Sequence, residues 1–295
     1  MIDDARRRHY ADLYEPVEHD GPLGVIVGNC QAESLRVALD GSGARLLRIP
    51  PVHELTIDDL PHLHRILERV DVLVAQPIRD DYHGLPLGTR QLLAATRARR
   101  TAVVPVIRFA GLYPWQAIVR PPSDPSMTPP VVPYHDLRLL AEAAGSPLPP
   151  TSARAIAAVG AASVDELRRR EVRDDAVAAS DLLAEPRFAL MRTINHPGNP
   201  VWEALAMRVH DRLGLEGDLV PLPRELLDAI HAPRERQVID ALALDAEPRE
   251  HWVVGGGPVD VGDVRAAHLA WYLEHPEVVA AGIERHRATL EELAR

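Results

Sequence analysis

The stretch Leu23-Gly-Val-Ile-Val-Gly-Asn-Cys-Gln31 runs from a short apolar segment, through glycine and asparagine, to the only cysteine of the chain. A helix-like pattern follows at once, which predicts a buried strand that turns directly into a helix. Cys30 then lies at the helix start, where free N–H groups and the helix dipole favour a thiolate and can hold an oxyanion. Gly28 gives the turn backbone freedom, while Asn29 and Gln31 offer side-chain amide donors. This pattern predicts a nucleophile on a strand-to-helix turn.

Short apolar runs and helix-like segments alternate through the first third of the chain. The predicted strands are 23–27, 45–49, 71–76 and 101–107, and the predicted helices are 31–39, 57–70 and 86–99. Alternation at this spacing requires crossover connections and a parallel sheet, whose ligands lie at the carboxyl ends of the strands. The predicted fold class is therefore α/β, with a small parallel flavodoxin-like βαβ subdomain over residues 20–110.

The remainder of the chain has a different pattern. Seven of the residues in 113–133 are proline, which favours a proline-rich loop over 111–135 because proline breaks helices and central strands. Helical patterning dominates 136–295, and Ser163 with Glu166 resembles a capping box at a helix start. The predicted helices are 134–144, 164–183, 201–213, 224–230, 234–244, 263–272 and 278–293. We expect a principally helical cradle that completes a site on the small sheet.

Composition excludes several classes of function. The 295 residues carry a net charge of -10, which argues against the broad basic surface that nucleic acids or anionic membranes require. All 33 basic residues are arginine, so a Schiff-base lysine, a pyridoxal-phosphate anchor and a P-loop lysine are impossible. A single cysteine excludes an internal disulfide and multi-cysteine metal sites. We expect no metal.

The same composition indicates a cellular location. One cysteine suits a reducing cytoplasm. The N-terminus lacks an apolar signal core, and no apolar run approaches ~18 residues. We therefore expect a cytoplasmic protein without membrane insertion, and the oligomeric state stays open.

A cysteine nucleophile needs a base, which a residue distant in sequence supplies. The chain has 14 histidines. His196 is the preferred candidate because Asn195 and Pro197 restrict its loop. The alternatives are His83, just past a predicted strand, and His135, just before a predicted helix.

Six motifs in a fixed order resemble the WcbI-type capsular polysaccharide biosynthesis proteins over residues 23–215. The motifs are Gly28-Asn-Cys-Gln31, Asp71-Val-Leu-Val-Ala-Gln76 with Tyr82, Phe109-Ala-Gly-Leu-Tyr-Pro114, Tyr134-His-Asp136, Leu167-Arg-Arg-Arg-Glu171 and Asn195-His-Pro197. The resemblance implies a helical cradle around a small α/β subdomain, a deep coenzyme A pocket and acetyl transfer to a sugar hydroxyl. The tail from Glu216 onward, which includes Trp252-Val-Val-Gly-Gly-Gly-Pro258, matches none of these motifs.

Coenzyme A, or acetyl-CoA as substrate, requires cations for its phosphates and an apolar slot for its pantetheine arm. Arg79 and Arg108 each follow the carboxyl end of a predicted strand, and the planar fork of arginine suits phosphate oxygens. The candidate coenzyme A residues are Gly28, Gln76, Arg79, Tyr82, Arg108 and Tyr113.

The preferred hypothesis is an acyl-CoA-dependent O-acyltransferase that uses Cys30 and His196, with Asn29, Gln31 and Asn195 as oxyanion or positioning groups. Either Cys30 takes the acyl group covalently, or the histidine activates the acceptor for direct attack. Two alternatives stay open. One is an SGNH-like esterase or a thioesterase, because those enzymes also place a nucleophile on such a turn. The other is a non-catalytic module that binds coenzyme A or a nucleotide.

Overall fold

A computed structural model describes residues 4–121, 123–124 and 126–295, so Pro122 and Pro125 of the proline-rich segment lie outside the described residues. Its helices are α1 (Asp4–His9), α2 (Ala11–Tyr14), α3 (Cys30–Ala38), α4 (Leu60–Leu67), α5 (Thr89–Ala95), α6 (Leu137–Ala143), α7 (Ala153–Asp174), α8 (Asn199–Leu213), α9 (Arg236–Ala241), α10 (Val261–Glu274), α11 (Pro276–Arg285) and α12 (Arg287–Leu293). Its strands are β1 (Leu23–Val27), β2 (Arg45–Leu47), β3 (Val72–Ala75), β4 (Arg100–Val103), β5 (Gln116–Ala117), β6 (His135–Asp136), β7 (Met191–Thr193), β8 (His196–Pro197), β9 (Ile230–His231), β10 (His251–Val254) and β11 (Gly257–Asp260).

The described chain divides into two compact units, and each combines segments that are far apart in sequence. Unit 1 contains the described residues of 1–106, 167–182 and 199–226, and unit 2 those of 107–166, 183–198 and 227–295. The sequence-based division into 20–110, 111–135 and 136–295 groups contiguous stretches instead, and it stays a prediction.

Unit 1 contains a parallel sheet in the order β2-β1-β3-β4 over the part of the chain that the structure describes. Every residue of β1 and β3 is buried, as expected for central parallel strands that are covered on both faces. Side chains of α4, including Leu63 and Leu67, pack into the same core as Val25 and Leu73. The prediction of an α/β fold with a small parallel sheet is confirmed.

The predicted limits of several elements were wrong, and two of these differences have a clear local reason. Strand β4 ends at Val103 rather than 107, because Pro105 has no N–H to donate to a ladder. Ser163 does not cap a helix, since α7 already begins at Ala153. The alanine-rich residues before Ser163 are strong helix formers and extend the helix upstream. The Ser163 hydroxyl instead accepts a hydrogen bond from the backbone N–H of Ala110, at 3.0 Å.

Unit 2 combines helices with short antiparallel sheets that sequence analysis missed. Strands β9, β10 and β11 form one sheet in the order β11-β10-β9. A two-residue turn joins β10 to β11, and both of its residues, Gly255 and Gly256, have positive φ, the conformation that tight hairpins require. The predicted helix at 224–230 is wrong, since its last residue starts β9. Strands of two to four residues are too short to show a clear alternating pattern.

Helices of unit 2 pack around a second apolar core. Its buried members include Trp115, Leu140, Ile156, Val238 and Val278. Among the described residues, no helix is both long and apolar enough to cross a bilayer.

Candidate functional site

The Cys30 turn in unit 1 is held by a network of side-chain amides. Asn29 caps α3, because its Oδ1 accepts a hydrogen bond from the Gln31 N–H at 2.9 Å. The Asn29 N–H donates in turn to Gln76 Oε1 at 2.8 Å, and Gln76 Nε2 donates to Gln31 Oε1 at 3.4 Å. Gln76 directly follows β3 and is only 3% exposed. The predicted residues Gly28, Asn29, Cys30, Gln31 and Gln76 therefore form one cluster.

Gly28 permits the close approach of the Gln76 side chain to this turn. A Cβ atom at residue 28 would lie 2.4 Å from Gln76 Oε1 and 2.7 Å from its Cδ. Both distances are shorter than a van der Waals contact, so any larger residue must displace the buried amide. The reason for glycine is therefore steric contact with Gln76.

The thiol of Cys30 differs from the sequence-based expectation. It is half-buried, and burial raises the pKa of Cys30, while the backbone N–H groups of Cys30 and Gln31 act in the opposite direction. Desolvation of the thiolate outweighs the helix-start N–H groups. The expectation of a lowered thiol pKa was wrong.

Three more predicted residues lie together in the loop after β3. The Arg79 guanidinium lies 5.9 Å from the centroid of the Tyr82 ring. The Tyr82 ring makes an edge contact with His83, with centroids 4.3 Å apart. His83 is exposed and has a φ of 54°, an uncommon conformation for a side-chain-bearing residue. The loop thus presents a cation and two rings at the carboxyl end of β3.

The preferred base, His196, belongs to a polar network in unit 2. The Tyr134 hydroxyl lies 2.9 Å from Asn195 Oδ1 and 3.2 Å from His196 Nε2. Thr193 Oγ1 donates a hydrogen bond to the same hydroxyl at 3.0 Å. Asn195 and Thr193 therefore hold Tyr134, and Tyr134 holds the imidazole.

The environment of His196 keeps its imidazole neutral. Burial, together with the nearby Arg192 and His231, lowers the pKa of His196 to about 4. Within the described residues, the buried Nδ1 atom has no hydrogen-bond partner. A neutral imidazole at physiological pH can accept a proton, as a general base must.

The remaining predicted residues of unit 2 have different environments. His135 is 1% exposed, and its Nδ1 lies 2.8 Å from the Tyr272 hydroxyl. Burial lowers the pKa of His135 to about 3, with the nearby His268 acting in the same direction. Tyr113 is buried and donates to the Met191 carbonyl at 2.8 Å. Arg108 is exposed.

A cavity of about 560 Å³ lies within unit 2. Its walls include Trp115, Tyr134 and Trp252 together with Arg234 and Arg249. The cavity is of the size that binds small molecules, and it mixes aromatic surface with a few charges. The segment around Trp252 had no predicted role. The Gly-Gly pair that follows was the available signal for a hairpin.

A metal centre has no donor set in the described parts of the chain. Over 4–121, 123–124 and 126–295, no group of three or more His, Cys, Asp or Glu residues could hold a metal ion.

The model of the family "Polysaccharide biosynthesis enzyme WcbI" matches residues 23–218. The chain belongs to the WcbI family. The matched range includes the Cys30 turn, Tyr134 and the Asn195–His196 pair. Because the family consists of polysaccharide biosynthesis enzymes, this WcbI-family chain is an enzyme of polysaccharide biosynthesis.

A solved structure of WcbI has the same fold, with a TM-score of 0.73 and 17% sequence identity over 93% of this chain and 99% of that chain. It is described as a novel polysaccharide biosynthesis enzyme, in its native form without a disulfide bond between coenzyme A and one of its cysteines. No curated protein sequence matches this WcbI-family chain.

Proposed function

We propose that this WcbI-family protein is an acyl-CoA-dependent O-acyltransferase, which moves an acyl group, most simply acetyl, from coenzyme A to a sugar hydroxyl. The observation that carries the proposal is the neutral His196, held by Tyr134, whose ring lines the cavity of unit 2. The mention of coenzyme A and a cysteine in the description of WcbI supports the choice of donor. The partners in this proposal are two small molecules, the acyl donor and the acceptor.

His196 acts as the general base in this proposal. In the free protein the Tyr134 O–H donates to Asn195 Oδ1 at 2.9 Å. For transfer this O–H turns to His196 Nε2, 3.2 Å away, and the acceptor hydroxyl gives its proton to the Tyr134 oxygen as the phenol proton moves to that nitrogen. The acceptor oxygen attacks the thioester carbonyl, and the carbon–sulfur bond breaks as the tetrahedral intermediate collapses. The proton on His196 then returns to the departing thiolate, so free coenzyme A leaves as a thiol. Asn195 positions the Tyr134 hydroxyl before the reaction and after it.

In this proposal Cys30 interacts with the thioester of the acyl donor. In the covalent route its thiolate would attack the carbonyl and carry the acyl group. The raised pKa of Cys30 leaves little thiolate at neutral pH, and the thiolate is the nucleophile. We therefore favour direct attack by the acceptor, with Cys30 and the amides of Asn29 and Gln31 positioning the thioester. Cys30→Ala should then keep a measurable part of the turnover, whereas the covalent route predicts complete loss.

The phosphates of coenzyme A need cations, and Arg79 and Arg108 stay the candidates, with Gln76, Tyr82 and Tyr113 as further contacts. Arg79→Ala or Arg108→Ala should weaken coenzyme A binding by ~10-fold or more where a charge-assisted contact is lost. If both variants bind coenzyme A like the wild type, other residues hold the phosphates.

The decisive experiment measures release of free thiol from acetyl-CoA with and without sugar acceptors. Acceptor-dependent release supports transfer, and acceptor-independent release indicates the hydrolase alternative. Tight coenzyme A binding without release indicates a non-catalytic module. His196→Gln and Tyr134→Phe should both lower acceptor-dependent release. His64→Gln, which changes an exposed histidine on α4, is the matched control.

A further inference from the structure

Two arginines form an uncommon pair at the cavity of unit 2. Arg234 and Arg249 form an isolated antiparallel bridge, in which each N–H donates to the carbonyl of the other, at 2.9 and 3.0 Å. Directly opposite residues of such a bridge project their side chains from the same face. Two like-charged side chains therefore leave the backbone on the same face, and like charges directly opposite one another are destabilising.

Two other arginines of the cavity wall are neutralised by carboxylates, whereas Arg234 and Arg249 are not. Arg138 pairs with Asp136 and Glu235, and Arg265 pairs with Glu142. Over the described ranges of the chain, neither Arg234 nor Arg249 has a carboxylate partner.

Within the part of the chain that the structure describes, the guanidinium groups of the two arginines also have N–H donors without acceptors. Arg249 donates to the Ala232 carbonyl at 2.6 Å, but its Nε is buried without a hydrogen-bond partner among the described residues. The Arg234 guanidinium lies 5.3 Å from the Phe188 ring centroid. A buried N–H donor without an acceptor is unfavourable, so the pair is suited to an anionic ligand.

The cavity wall also includes two nearly parallel aromatic rings, a kind of surface that sugar rings pack against. Trp252 and Tyr134 stack with centroids 5.9 Å apart and an interplanar angle of 14°. The Tyr134 hydroxyl lies 3.2 Å from His196 Nε2. One cavity therefore has a pair of arginines, an aromatic wall and a contact to the proposed base.

We propose that this cavity binds the acceptor, and that the acceptor is a sugar bearing an anionic group, a phosphate or a carboxylate, which Arg234 and Arg249 hold together. Two planar guanidinium forks suit the oxygens of either group. The role of acceptor rests on the proposed function, whereas the anion site can be tested by binding alone.

Calorimetric titration with four probes tests the site: glucose 1-phosphate, glucuronate, inorganic phosphate and glucose. At least one of the two anionic sugars should bind at least tenfold more tightly than glucose and than inorganic phosphate. The stronger of the two identifies the anionic group as phosphate or carboxylate. Saturation with coenzyme A should leave that binding in place.

Variants assign the binding to the arginine pair. Arg249→Gln and Arg234→Gln should each weaken the binding of the anionic sugar at least tenfold, and Arg249→Lys should weaken that binding less. Arg287→Gln is the matched control, because it removes an exposed arginine from α12 in the same unit. Circular dichroism of each variant reports whether the fold is retained, and Arg234→Gln tests the site even where Arg249→Gln does not fold.

Three results would overturn the inference. The first is that neither anionic sugar binds at 10 mM, roughly the limit of a useful affinity. The second is that coenzyme A displaces the anionic sugar and that Arg234→Gln and Arg249→Gln weaken the binding of coenzyme A as much as that of the sugar. The arginines would then belong to the donor site. The third is that Arg287→Gln weakens binding as much as Arg249→Gln. If anionic sugars bind as expected without acceptor-dependent thiol release, the transferase proposal fails and the anion site stands.

Discussion

Gly28→Ala tests whether Gln76 fixes the conformation of the Cys30 turn. The added methyl would lie 2.4 Å from Gln76 Oε1, so the amide must leave its place. Its departure breaks the 2.8 Å hydrogen bond from the Asn29 N–H. Since Gln76 is 3% exposed, water cannot readily replace either partner.

Two contributions set the size of the effect. A part-buried N–H left without an acceptor costs about 1–3 kcal/mol. Insertion of a methyl group into a packed region costs a further 1–3 kcal/mol or so. We therefore expect the free energy of unfolding to fall by about 2–6 kcal/mol. The cost is measured by urea unfolding, followed by circular dichroism and tryptophan fluorescence.

A double-mutant cycle separates the clash from a general backbone effect. Gln76→Ala alone should destabilise the protein, because the Asn29 N–H loses its acceptor. On the Gln76→Ala background, Gly28→Ala should cost less than about 1 kcal/mol, because the methyl then has space. The difference from the cost in the wild type gives a coupling energy of about 1–6 kcal/mol. Gly257→Ala is the control, since its Cβ would meet only the Val254 carbonyl oxygen, at 3.7 Å.

Two results would refute this reasoning. One is an unchanged unfolding midpoint for Gly28→Ala. The other is an equal cost of Gly28→Ala with and without Gln76, which would mean that the contact with Gln76 is not the cause.

Three other predictions concern titratable groups. Burial raises the pKa of Cys30, so iodoacetamide should alkylate it more slowly than free cysteine at pH 7. The rate of alkylation should still increase with pH above 9, and a plateau of the rate below pH 8 would contradict this prediction. The pKa of His135 is about 3 and that of His196 about 4, against roughly 6.5 in the unfolded chain. Below pH 6.5 the unfolded state binds more protons than the folded state, so the free energy of unfolding should fall as the pH falls from 6.5 towards 4. The loss is up to about 2 kcal/mol per histidine at pH 5, and less where solvent screens the charge. Equal urea midpoints at pH 7 and pH 5 would refute this prediction. His196→Gln should lower turnover ~100-fold at an unchanged Kd for coenzyme A, and equal losses of turnover and affinity would assign it a structural role.

The sequence contains enough information for the sheet and for the Cys30 turn. Four apolar runs bounded by Gly, Pro or charge predict the parallel strands, because central strands are buried on both faces. Gly28, Asn29 and Gln76 appear at strand ends, and the carboxyl ends of parallel strands share one edge of the sheet. The grouping of these residues therefore follows from topology.

Other features depend on contacts that no local pattern records. The direction of the Cys30 pKa shift is set by how much of the thiol the folded chain covers, which the turn motif does not show. The bridge between Arg234 and Arg249 joins residues separated by α9 and a loop. Its two residues have no shared sequence signal, so only the folded backbone shows that they face the same cavity.

The cavity of unit 2 is assembled from two parts of the chain with different relationships to the family. Tyr134 lies inside the range 23–218 that the family model matches, whereas Arg234, Arg249 and Trp252 lie beyond it. If this cavity binds the acceptor as we propose, substitutions in the later segment will alter which acceptor is bound while Tyr134 and His196 stay unchanged. Family members with the same proposed proton-transfer groups would then differ in their acceptors through this segment alone. Exchange of residues 230–260 between two family members is accordingly a rational route to a changed acceptor preference.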